Sequence, residues 1–182
     1  MEHGKRPAIF LDRDGVLIVE RNFLVNPDDI EFYPETMESL ASITDNYVKI
    51  VISNQSGIAR GYFSEKDVRR INDEISRQLA SSGILIDGWY FCPHGPEDGC
   101  SCRKPRPGMI LKAAEKFNID FNKSWIIGDK SSDIEAGKAA GIKTILVKTG
   151  YGGSEPGASN TSPDFTASNI GEAIEYINRS TI

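Results

Sequence analysis

Two carboxylates one residue apart, in Asp12-Arg13-Asp14-Gly15, close the apolar run Ala8-Ile9-Phe10-Leu11. A run that reads as a buried strand has no use for paired acids at its end unless a cation or a proton transfer needs them there. Like charges this close do not both stay ionised in a dry site without a counter-cation. Mg²⁺ suits the task, because it takes one or two carboxylates while keeping waters and phosphate oxygens. The competing reading is a plain turn, since Asp and Gly are favoured turn residues.

Three further segments carry chemistry of the same kind. Ser53-Asn54-Gln55-Ser56-Gly57 follows a second apolar run and offers hydroxyl, amide and backbone donors suited to phosphoryl oxygens. Arg103-Lys104-Pro105-Arg106-Pro107-Gly108 concentrates cations just ahead of a helical pattern, whose N-terminus itself favours anions. Gly128-Asp129-Lys130-Ser131-Ser132-Asp133 places Asp129 where it would complete a metal site with Asp12 and Asp14, and Asp133 one turn further on. Taken singly, these segments read equally as a loop, a solvated basic run and a capped helix start.

Cys92-Pro93-His94 and Cys100-Ser101-Cys102 hold all three cysteines of the chain. An odd number of thiols beside an imidazole suits a metal better than a disulfide, and a Cys₃His set matches a closed, structural Zn²⁺ site. Buried free cysteines are the alternative. A filled set of four ligands argues for a loop staple rather than a catalytic zinc, and the loop it would pin leads into Arg103 and Lys104. His3, near the terminus, reads as an uninvolved tail residue.

The elements that must position these groups are legible from periodicity. Strand-like runs at Ala8–Leu11, Val48–Ile52, Trp89–Cys92, Trp125–Ile127 and Thr144–Val147 alternate with helical patterns, which predicts a parallel sheet covered on both faces. Ser64 is placed to cap a helix with Asp67 at its third position and Val68, Ile71, Ile75 and Leu79 on one stripe. Further helices are expected from near Pro107, from Ser131 to Ala140 with a stop at Gly141, and from Ile170 to Ile177. Asp14 to Pro34 and Gly150 to Pro163 lack periodicity and read as long loops.

At 182 residues, 39% hydrophobic and 26% charged, the chain suits a single domain spanning 1–182 with no separate lid. A net charge of −5 argues against nucleic acid. The short apolar run after the N-terminus is no signal sequence and no stretch is of membrane-spanning length, so a cytoplasmic protein free of membrane is expected; separately, a monomer is expected.

The joint order is more telling than any part. An acid pair after the first strand, a hydroxyl after the second, a lysine after the third and an acid pair after the fourth resembles the four motifs of the haloacid dehalogenase superfamily of phosphotransferases. That resemblance covers roughly Ile9 to Val147. It implies a three-layer Rossmann-like α/β fold without a cap domain, Asp12 as the nucleophile that becomes an aspartyl phosphate, and Asp14 as general acid and base. Ser53 and Lys104 would offset phosphoryl charge. The Asp12 side chain, the Asp14 backbone carbonyl and the Asp129 side chain would hold Mg²⁺, with Asp133 in support.

The cysteine cluster together with Asn54-Gln55-Ser56-Gly57-Ile58-Ala59-Arg60-Gly61 and Cys102-Arg103-Lys104-Pro105 resembles the capless branch containing heptose-bisphosphate and histidinol-phosphate phosphatases, the former more closely. The implied reaction is removal of the 7-phosphate of a heptose 1,7-bisphosphate, a small phosphorylated sugar. Substrate contacts would fall on Arg13, Glu20, Arg21, Asn22, Phe23, Asn54, Gln55, Ser56, Arg103 and Lys130. Histidinol phosphate is the alternative substrate. A phosphoacceptor regulatory domain is the non-enzymatic alternative, but such domains place the accepting Asp after the third strand, where this chain has Cys92.

Overall fold

The computed structural model describes residues 4–180, and His3 lies outside them. Six strands alternate with helices: β1 Ala8–Leu11, α1 Thr36–Ala41, β2 Val48–Asn54, α2 Glu65–Ser81, β3 Gly88–Cys92, α3 Gly108–Phe117, β4 Trp125–Gly128, α4 Ser131–Ala140, β5 Lys143–Val147, β6 Phe165–Ala167 and α5 Ile170–Ser180. All strand pairs are parallel, in the order β3-β2-β1-β4-β5-β6. The chain winds outward from β1 through β2 to β3 and then returns to lay β4 on the other side of β1. That reversal is the position at which an open α/β sheet leaves a crevice beyond its carboxyl ends. Asp12 and Asp129, which follow β1 and β4, therefore share it.

Successive strand residues point to opposite faces, which divides the core in two. Ile9, Leu11, Val51, Ile127 and Ile145 pack with α1, α2 and α5, while Ala8, Phe10, Ile50, Ile52 and Ile126 pack with α3 and α4. The central strand β1 is fully buried, as a strand covered on both sides requires.

Local signals fix most element ends. The Ser64 hydroxyl accepts from Asp67 N at 3.3 Å while the Asp67 carboxylate accepts from Ser64 N at 2.8 Å, a reciprocal capping box at the start of α2. Gly141 ends α4 at φ +75°. Pro107 stands at the N-cap of α3, one residue earlier than the first-turn position expected for it. Two elements were not expected. The helix α1 has 6 residues, too few for a periodic stripe, and β6 has 3 at the sheet edge. Between β1 and α1 the chain makes a 3₁₀ turn, Pro27–Asp29, and isolated bridges, with no inserted layer among the described residues. None of the described helices is long and apolar enough to cross a membrane.

The Gly150 to Pro163 segment is tied down at the start of α4. Glu155 Oε1 accepts from Ser131 N at 2.7 Å and from the Ser131 hydroxyl, and Ser159 N donates to that hydroxyl at 3.1 Å. Glu155 thus supplies in trans the cap that the first turn of α4 needs. Glu155→Ala is expected to cost about 1–2 kcal/mol. Thermal denaturation should register this as a fall in Tm of roughly 2–8 °C, with Glu155→Gln losing less.

Candidate active site

The hydrogen bond from Asp12 N to Ile127 O, 3.0 Å, carries the sheet pairing one residue past β1 and fixes the Asp12 backbone. Its side chain, 4% exposed as a residue, lies 3.0 Å from the Lys104 ammonium and accepts from Arg13 N at 2.8 Å. The same ammonium lies 2.6 Å from Asp133 and donates to Ile52 O at 3.1 Å. Lys104 reaches this point because Asn54, at the end of β2, holds its peptide from both sides: Lys104 N donates to Asn54 Oδ1 at 3.1 Å and Asn54 Nδ2 donates to Lys104 O at 3.0 Å. Burial alone would lower the pKa of Lys104, but Asp12 and Asp133 outweigh it and hold the ammonium charged.

Asp129 and Asp133 are completely buried. Asp133 Oδ2 accepts from Lys130 N at 3.1 Å, in the first turn of α4. Asp129 Oδ2 accepts from Tyr151 N at 2.8 Å, whereas Asp129 Oδ1 has no hydrogen-bond partner. The backbone crowds this carboxylate from two loops: a Cβ on Gly15 would lie 2.3 Å from Asp129 Oδ2, and one on Gly150 2.2 Å. Both glycines also have positive φ, +89° and +61°, so no other residue fits either position without rearrangement.

Carboxylate oxygens of Asp12, Asp129 and Asp133 lie within 4.8 Å of one another. Burial pushes the Asp129 carboxyl up to about 8, with Asp12 and Asp133 adding to the shift, and burial also raises Asp12 against the pull of Lys104. The protein's own cations thus leave negative charge uncompensated. An unpartnered buried oxygen in an all-oxygen, anionic donor set fits a hard divalent cation such as Mg²⁺.

The Asp14 carboxylate stands apart from this trio. Arg13 Nε and Nη2 donate to its two oxygens, both at 3.1 Å, and Gln55 Nε2 donates to Oδ2 at 3.0 Å. Gln55 Nε2 also donates to the Ser53 hydroxyl at 2.6 Å. With its oxygen accepting from Gln55, Ser53 keeps its own hydrogen for a ligand oxygen.

These groups open on a cleft of about 180 Å³ lined by Asp12, Asp14, Ser53 and Lys104, with Glu20, Asn22, Phe23, Asn54, Gln55, Ser56 and Lys130 around them. Lys130 pairs with Glu20 at 3.2 Å and lies 4.9 Å from the centre of the Tyr151 ring, whose hydroxyl donates to Asn22 at 3.3 Å. Asn22 and Phe23 have φ of +46° and +65°. Two successive non-glycine residues in the left-handed region are costly, and such strain gathers at ligand sites.

Beside the cleft, Cys92 and Cys102 sulfurs lie 3.2 Å apart, each is 3.6 Å from Cys100, and His94 Nδ1 is 3.5 and 3.3 Å from Cys92 and Cys102. These separations exceed a disulfide bond of about 2.05 Å and approach the ~3.7 Å edge of a tetrahedron with Zn–S bonds of about 2.3 Å. Burial pushes the Cys92 thiol up to about 12 and raises Cys102, so both call for a cation to become thiolates.

A curated protein of Photorhabdus laumondii, D-glycero-alpha-D-manno-heptose-1,7-bisphosphate 7-phosphatase, is 44% identical over 165 residues, covering 86% of this chain and 90% of that protein. The D-glycero-beta-D-manno-heptose-1,7-bisphosphate 7-phosphatase of Pasteurella multocida is 44% identical over 153 residues, covering 80% and 83%. This chain belongs to their family, within the haloacid dehalogenase superfamily. A HAD-hydrolase-like family profile matches residues 101–173. The crystal structure of D,D-heptose 1,7-bisphosphate phosphatase from B. bronchiseptica, complexed with magnesium and phosphate, superposes with a TM-score of 0.83 at 32% identity, covering 96% of this chain and 99% of that one.

Not every residue singled out by the haloacid dehalogenase resemblance reaches the cleft. Arg21 is exposed and pairs with Glu31. Arg103 lines a neighbouring depression that shares Lys104 with the cleft, and donates to His94 O at 3.3 Å. Arg13 does border the cleft but is only 1% exposed, its guanidinium turned to Asp14 and Asn72. Tyr151 and Ser132, which line the cleft, were not singled out. The Gly150, Gly152 and Gly153 cluster was the available signal for Tyr151, because a glycine-rich segment after β5 can approach other backbone closely.

Proposed function

We propose that this haloacid dehalogenase superfamily member is a Mg²⁺-dependent phosphomonoester hydrolase that removes the 7-phosphate of D-glycero-D-manno-heptose 1,7-bisphosphate, acting as one domain over 1–182. The observation that carries the chemistry is Asp12 paired with Lys104 in the lining of a polar cleft, within an acid trio that has an unpartnered oxygen. The relatives' names carry the substrate.

In this reading an Asp12 oxygen attacks phosphorus, the P–O ester bond breaks, and Asp14 gives its proton to the departing sugar oxygen. Water then attacks the aspartyl phosphate, Asp14 takes a proton from it, and inorganic phosphate leaves as the Asp12 carboxylate is restored. Lys104 and the Ser53 hydroxyl hold the phosphoryl oxygens. Asp12, Asp129 and the Asp14 backbone carbonyl would hold Mg²⁺, with Asp133 in support, and the ion when bound offsets charge on carboxylates and phosphoryl oxygens alike. Glu20, Asn22, Phe23, Asn54, Gln55, Ser56 and Lys130 face the sugar, and Arg103 meets its far end from the neighbouring depression. Cys92, His94, Cys100 and Cys102 hold a structural Zn²⁺.

Phosphate release from heptose 1,7-bisphosphate, histidinol phosphate, fructose 1,6-bisphosphate and p-nitrophenyl phosphate, with and without Mg²⁺, tests this. The heptose ester is expected to lead in kcat/KM by about 10-fold or more, within the 1–3 kcal/mol that pocket contacts supply, and turnover should require the metal. A different preferred ester would replace the substrate, and no turnover of any would remove the reaction.

A further inference from the structure

The helix α2 lays Val68, Ile71, Ile75 and Leu79 on the sheet, and among them stands Asn72, a polar residue only 7% exposed. A buried amide in an apolar layer is costly unless it is bonded. Asn72 Oδ1 accepts from Arg13 Nη1 at 2.9 Å. Arg13, 1% exposed, turns its other two nitrogens to Asp14: Nε and Nη2 each donate at 3.1 Å. A helix of the scaffold is thus connected through one guanidinium to the carboxylate that the reaction uses as its acid and base. The planar fork makes this a stiff connection, since the three donating nitrogens share one plane and cannot turn independently.

We infer that Asn72 and Arg13 are positioning residues that aim the Asp14 carboxylate at the leaving-group oxygen, and that Arg13 acts on catalysis through Asp14 rather than by touching the sugar. Both Asp14 oxygens are fixed by this fork, with Gln55 Nε2 on one of them at 3.0 Å, so the orientation is held from α2 on one side and from the end of β2 on the other. Separation of the two acids follows: Asp12 turns to Lys104 and the acid trio, Asp14 to the guanidinium. The inference rests on the phosphatase reading but not on the identity of the sugar.

Leaving-group dependence provides the test. An alkoxide needs a proton as it departs, whereas p-nitrophenolate leaves without one, and kcat/KM reports the steps up to P–O cleavage. General acid catalysis is worth about 10²–10⁴-fold, so Asn72→Leu is expected to lower kcat/KM for an alkyl phosphate by about 10-fold or more. For p-nitrophenyl phosphate it should stay within about 2-fold. Asn72→Asp, an isosteric acceptor for the guanidinium, should restore most of the alkyl activity. In an Asp14→Asn background, Asn72→Leu should do nothing further to the alkyl substrate, because residues acting through one group are not additive. Asn72→Ser, too short to reach Arg13, carries the same expectation if Asn72→Leu does not fold. Equal loss on both substrates, or no loss on either, would overturn the inference. Wild-type protein without turnover on any ester would instead overturn the phosphatase reading.

Discussion

Asp12→Asn should lose at least about 10³-fold in Mg²⁺-dependent turnover, as expected when a covalent nucleophile is removed, while the metal-free protein becomes no less stable. An amide cannot attack phosphorus, and each neighbouring carboxylate already has at least one oxygen engaged elsewhere. Asp14 is held by Arg13 and Gln55, Asp133 faces Lys104, and Asp129 is engaged by Tyr151 N. Stability should move the other way. Burial and the neighbouring Asp133 hold the Asp12 pKa above that of the unfolded chain, so its ionised form disfavours the fold. Removing that charge in the presence of a chelator relieves repulsion on Asp129 and Asp133. Lys104 keeps Asp133 at 2.6 Å and the Ile52 carbonyl at 3.1 Å. Steady-state turnover and a melting curve in EDTA check both halves: full Mg²⁺-dependent turnover would sink the nucleophile assignment, and a large drop in Tm would show that Asp12 holds the fold.

The second large effect is expected at the cysteine cluster. Purified protein should carry near-stoichiometric zinc, and Cys100→Ser should lose it. Cys100 is the informative position because it is only partly buried, whereas Cys92 also fills the core between β3 and α3. With the metal gone, the loop from His94 to Lys104 loses its internal staple. Structural zinc in isolated fingers is worth about 10–16 kcal/mol. Within a domain that keeps its own core a few kcal/mol is a reasonable share, equivalent to a fall in Tm of about 10 °C. Turnover should fall as well, since Lys104 lies two residues after Cys102 and its ammonium must sit between Asp12 and Asp133. Elemental analysis finding no zinc in protein purified without added metal would contradict the assignment. Loss of zinc without loss of activity would confine it to stability.

Five of the six strands and four of the five helices were legible from periodicity and capping, because those signals are local. Ser64 with Asp67, and Gly141 after Ala140, act through hydrogen bonds and backbone angles within a turn. The edge strand β6 and the short helix α1 gave no such signal, since neither is long enough to repeat a period. The convergence of the four motifs was legible too, for a topological reason: in a parallel sheet every strand delivers its following loop to the same edge. Asp12 and Asp129 directly follow their strands and Ser53 is the last residue but one of its own, so order along the chain translates into proximity.

Lys104 lies twelve residues beyond the end of β3, and nothing local says where such a loop returns. Its place between Asp12 and Asp133 depends on the two-sided grip of Asn54 on its peptide, a contact across 50 positions of sequence. Tyr151 was hidden for the same reason: a tyrosine in a glycine-rich loop looks like any other until Gly150 lets the backbone close on Asp129. Arg13 is the sharpest case. By sequence it is a cation between two acids, as ready to meet a phosphate as a carboxylate. Only the packing of α2 against the sheet, which brings Asn72 across 59 positions to the guanidinium, commits its donors to Asp14. The sequence by itself determined which chemical groups the chain delivers to the sheet edge, because strand order and backbone periodicity are local properties. Which way those groups turn, and which of them hold others in place, was decided by tertiary structure, because buried polar atoms take the partners that packing brings within hydrogen-bonding distance.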